Sequence, residues 1–383
     1  MTELDIWSEN YSNNSTIDIF VKSRSEEENV KLALNILDYY LTPGESSSAC
    51  YTLIENVEEL LVQSKMEMQI FESLADTNFF KNYQNYDNIV HKLESWSKEY
   101  PYKAHLIKSI GKSYEGRDIP VLQLTNKNFT QNIKKKSIFF ISGQHAREWI
   151  GPATVLYLIQ KFLTEKDNKN NFLNYYDIFF IPTMNPDGYI YTATKARLWR
   201  KNRRKNENSN SFGVDLNRNW DDHWGKVGSS TNPSSDTYQG TKPFSESETL
   251  AVSNFILSVE NRYAAIDFHL ILRNWGWSSK DSKNEKILNI LGEGMKNSIK
   301  RKSGQGYTSQ KSADLYPAGG SSDDWFGSKA GMIGFTMELR DKGWFGYGFL
   351  LPKEQIIPTG EEVFEAVKYF LKFINDNHIP KNE

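Results

Sequence analysis

The chain has 383 residues, enough to bury a large core and to divide into two or three domains. Its 46 basic and 48 acidic residues nearly cancel, which argues against nucleic acid or an anionic membrane as the main partner. The only cysteine, Cys50, excludes an intramolecular disulfide, so the fold must stand on its core. No apolar run approaches the roughly 18 residues of a membrane span.

Residues 1 to about 80 read as a separate small domain. Residues 17–21 alternate like a half-buried strand, and 26–41 carry a helical period that a Pro-Gly-Ser turn over 43–48 ends. A second strand over 51–54 and a helix from about 57 to 70 complete a compact α/β sandwich. This region has no histidine, the first being His91. Residues 72–88 are polar and punctuated, a linker open to proteases, with Lys81 inside it. The start, Met-Thr-Glu-Leu-Asp-Ile-Trp, shows no signal-peptide core, which fits either an intracellular protein or an incomplete start. Sequons at Asn10, Asn13, Asn14 and Asn128 matter only in a secreted chain.

From about residue 86 the pattern is that of one large α/β domain. A helix over 89–100 ends at Pro101, and strands are expected near 104–110, 119–124, 138–141, 178–182, 263–268 and 332–338. Helices are expected near 150–164, 245–259, 286–300 and 360–375. Residues 191–242 are long, polar and poor in regular structure; such a loop inside a compact domain is usually functional. Its basic run over 197–205 contains Trp199, which points to a packed segment rather than a localisation signal.

The chemistry gathers at strand ends. The apolar strand over 137–141 feeds Ser142-Gly143-Gln144-His145-Ala146-Arg147-Glu148-Trp149, an imidazole and a carboxylate three residues apart, followed by the helix from 150. One His and one Glu are half of a catalytic zinc site, which needs a third protein ligand and an open position for water. The strand over 264–269 ends in His269, the natural third ligand, and the strand running through 334–339 carries Glu338, the natural general base. Singly, each reads as a structural histidine or a solvated edge carboxylate; together they point to hydrolysis by a metal-activated water.

With these stand Asn185-Pro186-Asp187-Gly188, Trp199-Arg200-Lys201-Asn202-Arg203, Gly213-Val214-Asp215-Leu216-Asn217-Arg218-Asn219-Trp220, residues 316–325, Phe335-Thr336-Met337-Glu338-Leu339-Arg340-Asp341 and Phe349-Leu350-Leu351-Pro352 with Ile356-Ile357-Pro358-Thr359. In this order, over essentially the whole length, they make the chain resemble a zinc metallocarboxypeptidase of the pancreatic A/B type in its proenzyme form. The resemblance implies a mixed open β-sheet flanked by helices over 81–383, preceded by the small α/β sandwich as an inhibitory pro-domain over 1–80. It implies one Zn2+ per chain, peptide or protein C-termini as substrates, an activating protease cutting near Lys81, and secretion, with a cytoplasmic protein as the alternative. Nucleic acid and membrane are not expected partners.

Residue by residue, the resemblance implies that His145, Glu148 and His269 hold zinc, the His/His/Glu set that carboxypeptidase A uses. Glu338 would take the water proton and pass it to the departing amine. Arg200 would stabilise the oxyanion, and Arg147 would position substrate. Arg218, with Asn217, would clamp the C-terminal carboxylate. Tyr316 would close over the substrate on a Pro-Ala-Gly-Gly lid. Asp323, seven positions after Tyr316, would floor the side-chain pocket and favour Lys or Arg C-termini; Asp324 beside it matches a structural aspartate.

Three departures accompany the resemblance. The family usually continues His-Ser-Tyr-x-Gln-Leu, whereas this chain reads His269-Leu270-Ile271-Leu272-Arg273-Asn274-Trp275, several residues shorter. A shortened wall there implies an alternative: a zinc- or peptide-binding relative with impaired catalysis. The relatives' disulfide is absent, and the segment after Arg340 is slightly long. A serine hydrolase has no support, since no Gly-x-Ser-x-Gly elbow occurs.

Overall fold

The computed structural model describes residues 5–6, 19–20, 61–62, 76–129, 133–165, 171–270, 274–277, 285–312, 317–340 and 347–377. In the N-terminal region β1 (Asp5–Ile6) pairs antiparallel with β2 (Ile19–Phe20), which falls within the strand expected over 17–21. Residues 61–62 are helical, within the helix expected over 57–70. The helix expected over 26–41, the turn over 43–48 and the strand over 51–54 lie outside the described residues. A 3-10 turn, Asp76–Lys81, then seats Phe79 and Phe80 in the large core, Phe80 edge-on to Tyr157 at 5.2 Å and Phe79 edge-on to Trp96 at 6.3 Å. Lys81 itself is exposed, but Phe79, Phe80, Asn82, Tyr83 and Gln84 are buried, so the described part of 72–88 is packed against the core rather than the open linker expected.

Helix α1 (Tyr86–Glu99) starts at Asn85, whose side chain accepts from the Asn88 backbone N–H and satisfies one of the helix's free donors. The strands β3 (Ala104–Ile107), β4 (Val121–Leu124), β5 (Lys136–Ser142), β6 (Tyr176–Ile181), β7 (Arg262–Leu270), β8 (Asn274–Trp277), β9 (Thr308–Ser309) and β10 (Ile333–Leu339) make one sheet among the described residues, ordered β3-β4-β6-β5-β7-β10-β8-β9. Pairing is parallel through β6, β5, β7 and β10 and antiparallel on the β3-β4 side and between β10 and β8. The sheet is therefore mixed, as the resemblance implied. The helices are α2 (Ile150–Thr164), α3 (Pro186–Thr194), α4 (Ser247–Ser258), α5 (Glu285–Ser303), α6 (Ser322–Ser328) and α7 (Ile356–Asp376).

Both faces of the sheet are covered, which is why its central strands read as unbroken apolar runs. Ile138 and Phe140 join Ile150, Ile159, Phe364 and Val367 on the face of α2 and α7. Phe139 and Ile141 join Leu216, Trp220, Val252 and Phe326 on the other. These four strand residues are fully buried, each contributing about 2 kcal/mol. The same alternation sets the chemistry. On β7, Ile266, Phe268 and Leu270 face α2 and α7, so Asp267 and His269 face the Trp220 side. On β10, Phe335, Met337 and Leu339 take the first face, which turns Glu338 to the same side as His269.

Where sequence and structure differ, short range is the reason. The strand expected over 104–110 stops at Ile107. Helix α3, unforeseen in the Asn185-Pro186-Asp187-Gly188 motif, starts with Pro186 in its first turn and the Asn185 side chain accepting from Gly188 N. Strands β8 and β9 and helix α6 are too brief for a periodic signal.

Glu248, buried in the first turn of α4, accepts from the backbone of Tyr114, from Asn202 Nδ2 and from Ser247 Oγ. Burial, with Glu246 adding to it, pushes its carboxyl up to about 7 from an ordinary 4.5. A raised native value means the native chain holds the proton more tightly, so this stabilising contribution is complete below about 4.5 and lost as pH rises through about 7. Glu248→Gln should therefore gain stability over the parent as pH goes from 5 to 8, by at most about 3 kcal/mol. Paired denaturation curves across that range check it; parallel curves would show that Glu248 stays ionised.

Candidate active site

Strand β5 ends at Ser142, and Gly143 turns the chain with φ +72°. A Cβ there would also crowd Thr183 Cα at 3.2 Å, so the left-handed backbone is the main reason for glycine here. The turn delivers His145 and Glu148 just before α2, while His269 arrives from the neighbouring β7. His145 Nδ1 lies 2.8 Å from Glu148 Oε1, and His269 Nδ1 lies 3.1 Å from His145 Nδ1 and 3.2 Å from Glu148 Oε2. All three side chains are buried.

These separations fit one shared cation. Donors bound tetrahedrally at 2.0–2.1 Å stand about 3.3 Å apart. The far nitrogens fit as well: His145 Nε2 is 3.1 Å from Asp215 Oδ1, and His269 Nε2 is 3.0 Å from Asp267 Oδ2. Carboxylates behind ligand imidazoles are a usual second layer of zinc sites. Charge agrees too. Glu148, Asp215 and Asp267 are buried around the two imidazoles; Arg200 binds Asp215 Oδ2 through Nε at 3.1 Å and Nη2 at 2.9 Å, and Arg218 also acts on Asp215. Carboxylates gathered in a buried site favour a cation among them.

Burial alone would raise the Glu148 carboxyl, but the His145 ring and then His269 hold it below the ordinary carboxylate range. Burial opposes charge on Asp215 as well, yet Arg200 and His145 keep it well below. For His269 burial works against protonation, and Asp267 with Glu148 lifts the ring well above its usual value. The protein thus concentrates negative potential where the ring nitrogens converge.

The other residues expected from sequence surround this cluster. Glu338, partly exposed on β10, stands in register beside His269 on the same face. Arg200 reaches the cluster through Asp215. Arg147 stacks its guanidinium 3.8 Å from the Phe349 ring centre and lies 3.5 Å from Asp236 Oδ2. Arg218 donates from Nε to Gly228 O and from Nη1 to Asn217 O, both at 2.8 Å. Its backbone lies against Gly320 (φ +81°), where a Cβ would come within 2.3 Å of Arg218 O. Asn217 Oδ1 accepts from Ser322 N at 2.9 Å. Asp323 is buried and accepts from Ser312 Oγ, while Asp324 is partly exposed beside Ser321 Oγ. Tyr316 and residues 271–273 of the shortened segment lie outside the described residues.

Sequence reading missed Asp215 and Asp267. The first was in plain view inside the Gly213–Trp220 motif. The second sits two positions before His269, the spacing that puts two strand residues on one face.

Residues 89–366 match the peptidase M14 family, described as zinc carboxypeptidase. A carboxypeptidase B from Astacus astacus is 39% identical over 305 residues, 78% of this chain and 98% of that one. A protein of Blastomyces gilchristii (strain SLH14081) named inactive metallocarboxypeptidase ECM14 is 36% identical over 335 residues, 79% of this chain and 56% of that one. Among solved structures, thrombin activatable fibrinolysis inhibitor superposes with a TM-score of 0.84 at 31% identity, covering 98% of this chain and 93% of that one.

Proposed function

This chain belongs to the zinc carboxypeptidase family, and on that premise we propose that it removes the C-terminal residue of peptides and proteins, preferring Lys or Arg at that end. The observation that carries the reading is the buried meeting of His145, Glu148 and His269, with Glu338 in register one strand away. Zinc held by those three would polarise the scissile carbonyl and make a water acidic enough to attack near neutral pH. Glu338 accepts that water's proton and returns it to the leaving amine. Arg200, fixed by its fork on Asp215, faces the charge that develops on the carbonyl oxygen only in the transition state. Arg218 and Asn217 take the substrate carboxylate, Arg147 orients the chain beside it, and Tyr316 closes over it.

Asp323 supports the basic preference. A buried carboxylate is costly unless paired, and a substrate ammonium or guanidinium supplies the partner. Residues 1–80 act as an inhibitory pro-segment of an extracellular enzyme, released by a protease cutting near Lys81, and 81–383 form the catalytic domain. Lys81 is exposed between buried Phe80 and Asn82, so the cut requires this turn to open locally.

Blocked dipeptides ending in Arg and in Phe test the reading on protein trimmed near Lys81, with the intact chain as the slow control. Arg should be favoured in kcat/KM by about tenfold or more; preference for Phe would reject Asp323 as the pocket floor. The shortened segment after His269 favours one second reading, a zinc- or peptide-binding relative without turnover. Zinc bound by the trimmed protein, with neither dipeptide cleaved, would decide for it.

A further inference from the structure

We infer that Asp267 is the positioning residue of His269, and that through Ser322 and Gln144 it ties the ligand end of β7 to the wall carrying Asn217 and Asp323. The inference rests on the zinc carboxypeptidase reading above. Asp267 is fully buried and shares a strand face with His269. Its Oδ2 lies 3.0 Å from His269 Nε2 and accepts from Ser322 Oγ at 2.5 Å and from Gln144 Nε2. Ser322 in turn donates its backbone N–H to Asn217 Oδ1 and directly precedes Asp323. Gln144 directly precedes His145 and places Nε2 3.5 Å from the same Asn217 oxygen.

Two buried polar atoms at this spot lack an aligned hydrogen bond: His269 Nε2 and Asp267 Oδ1. They are complementary. With Nδ1 presented to a cation, a neutral imidazole carries its proton on Nε2, and the atom facing it should be an acceptor. A carboxylate there selects that tautomer, holds the ring plane and makes the ligand nitrogen more electron-rich. His145 has the matching arrangement through Asp215. Arg200 fixes Asp215 as Ser322 and Gln144 fix Asp267, so each carboxylate is held in place behind its ring.

The test measures zinc affinity of the full chain by competition with a chromophoric chelator, on Asp267→Ala, Asp267→Asn and Ser322→Ala, with folding checked by circular dichroism. Asp267→Ala should bind zinc about 10- to 100-fold more weakly. Asp267→Asn, which keeps an accepting oxygen and loses the charge, should fall between it and wild type. Ser322→Ala removes one of the two side-chain bonds that hold this carboxylate without touching His269, and should weaken zinc binding less than either Asp267 variant. Folded Asp267→Asn with wild-type zinc affinity would overturn the inference, as would an equal loss in Ser322→Ala, which marks a general packing effect. Absence of zinc binding in wild type would overturn the zinc reading itself, a separate outcome.

Discussion

Glu338→Gln is expected to lower kcat/KM by about a thousandfold, within the 10²–10⁴ range of a lost general base, while zinc content and melting temperature stay those of the parent. The substitution keeps side-chain size and polarity and removes only the capacity to accept a proton. A thousandfold loss corresponds to about 4 kcal/mol of transition-state stabilisation. The geometry isolates this effect. Glu338 lies beside His269 in register, on a different strand from the buried cluster, and is partly exposed where the cluster is not. It belongs to no described group of metal-holding side chains, which comprises His145, Glu148 and His269. Steady-state kinetics beside a zinc assay settles the matter: a variant retaining a tenth or more of the activity would place the base elsewhere.

What could be read from the sequence follows the range of each interaction. His145 and Glu148 were legible because three residues of chain hold them together at one strand end. His269 and Glu338 were legible as polar ends of apolar strands, though nothing local says that these strands are neighbours. That fact belongs to the sheet order, in which β10 pairs with β7 although β8 and β9 intervene in the chain. The fold likewise brings Ser322, 55 positions away at the start of α6, to donate to Asp267, which turns an ordinary buried aspartate into a brace. Arg147, Arg200 and Arg218 show a subtler gap. The sequence suggests three cations awaiting substrate, and the structure gives each a protein partner, which fixes guanidinium orientation before any ligand arrives.

Metal removal should separate the protein from its Glu148→Ala variant more sharply than any activity assay. Zinc binds the folded chain and gains little from the unfolded one, so it stabilises by RT ln(1 + [L]/Kd), about 4 kcal/mol at a thousandfold excess over Kd. Chelation of wild type should lower the melting temperature, and added zinc should restore it. Glu148→Ala removes the one carboxylate of the described His145, Glu148 and His269 group, and activity should fall below detection with it. The change also removes the acceptor of the Leu270 backbone N–H and the carboxylate that faces both imidazoles, so the variant should start from a lower melting temperature. Its distinguishing property is indifference: chelator and zinc should leave its melting temperature unchanged. A Glu148→Ala protein that still lost stability on chelation, by as much as wild type does, would mean that the structural cation sits away from the His145–His269 pair, and the hydrolytic assignment of this pocket would fail with it.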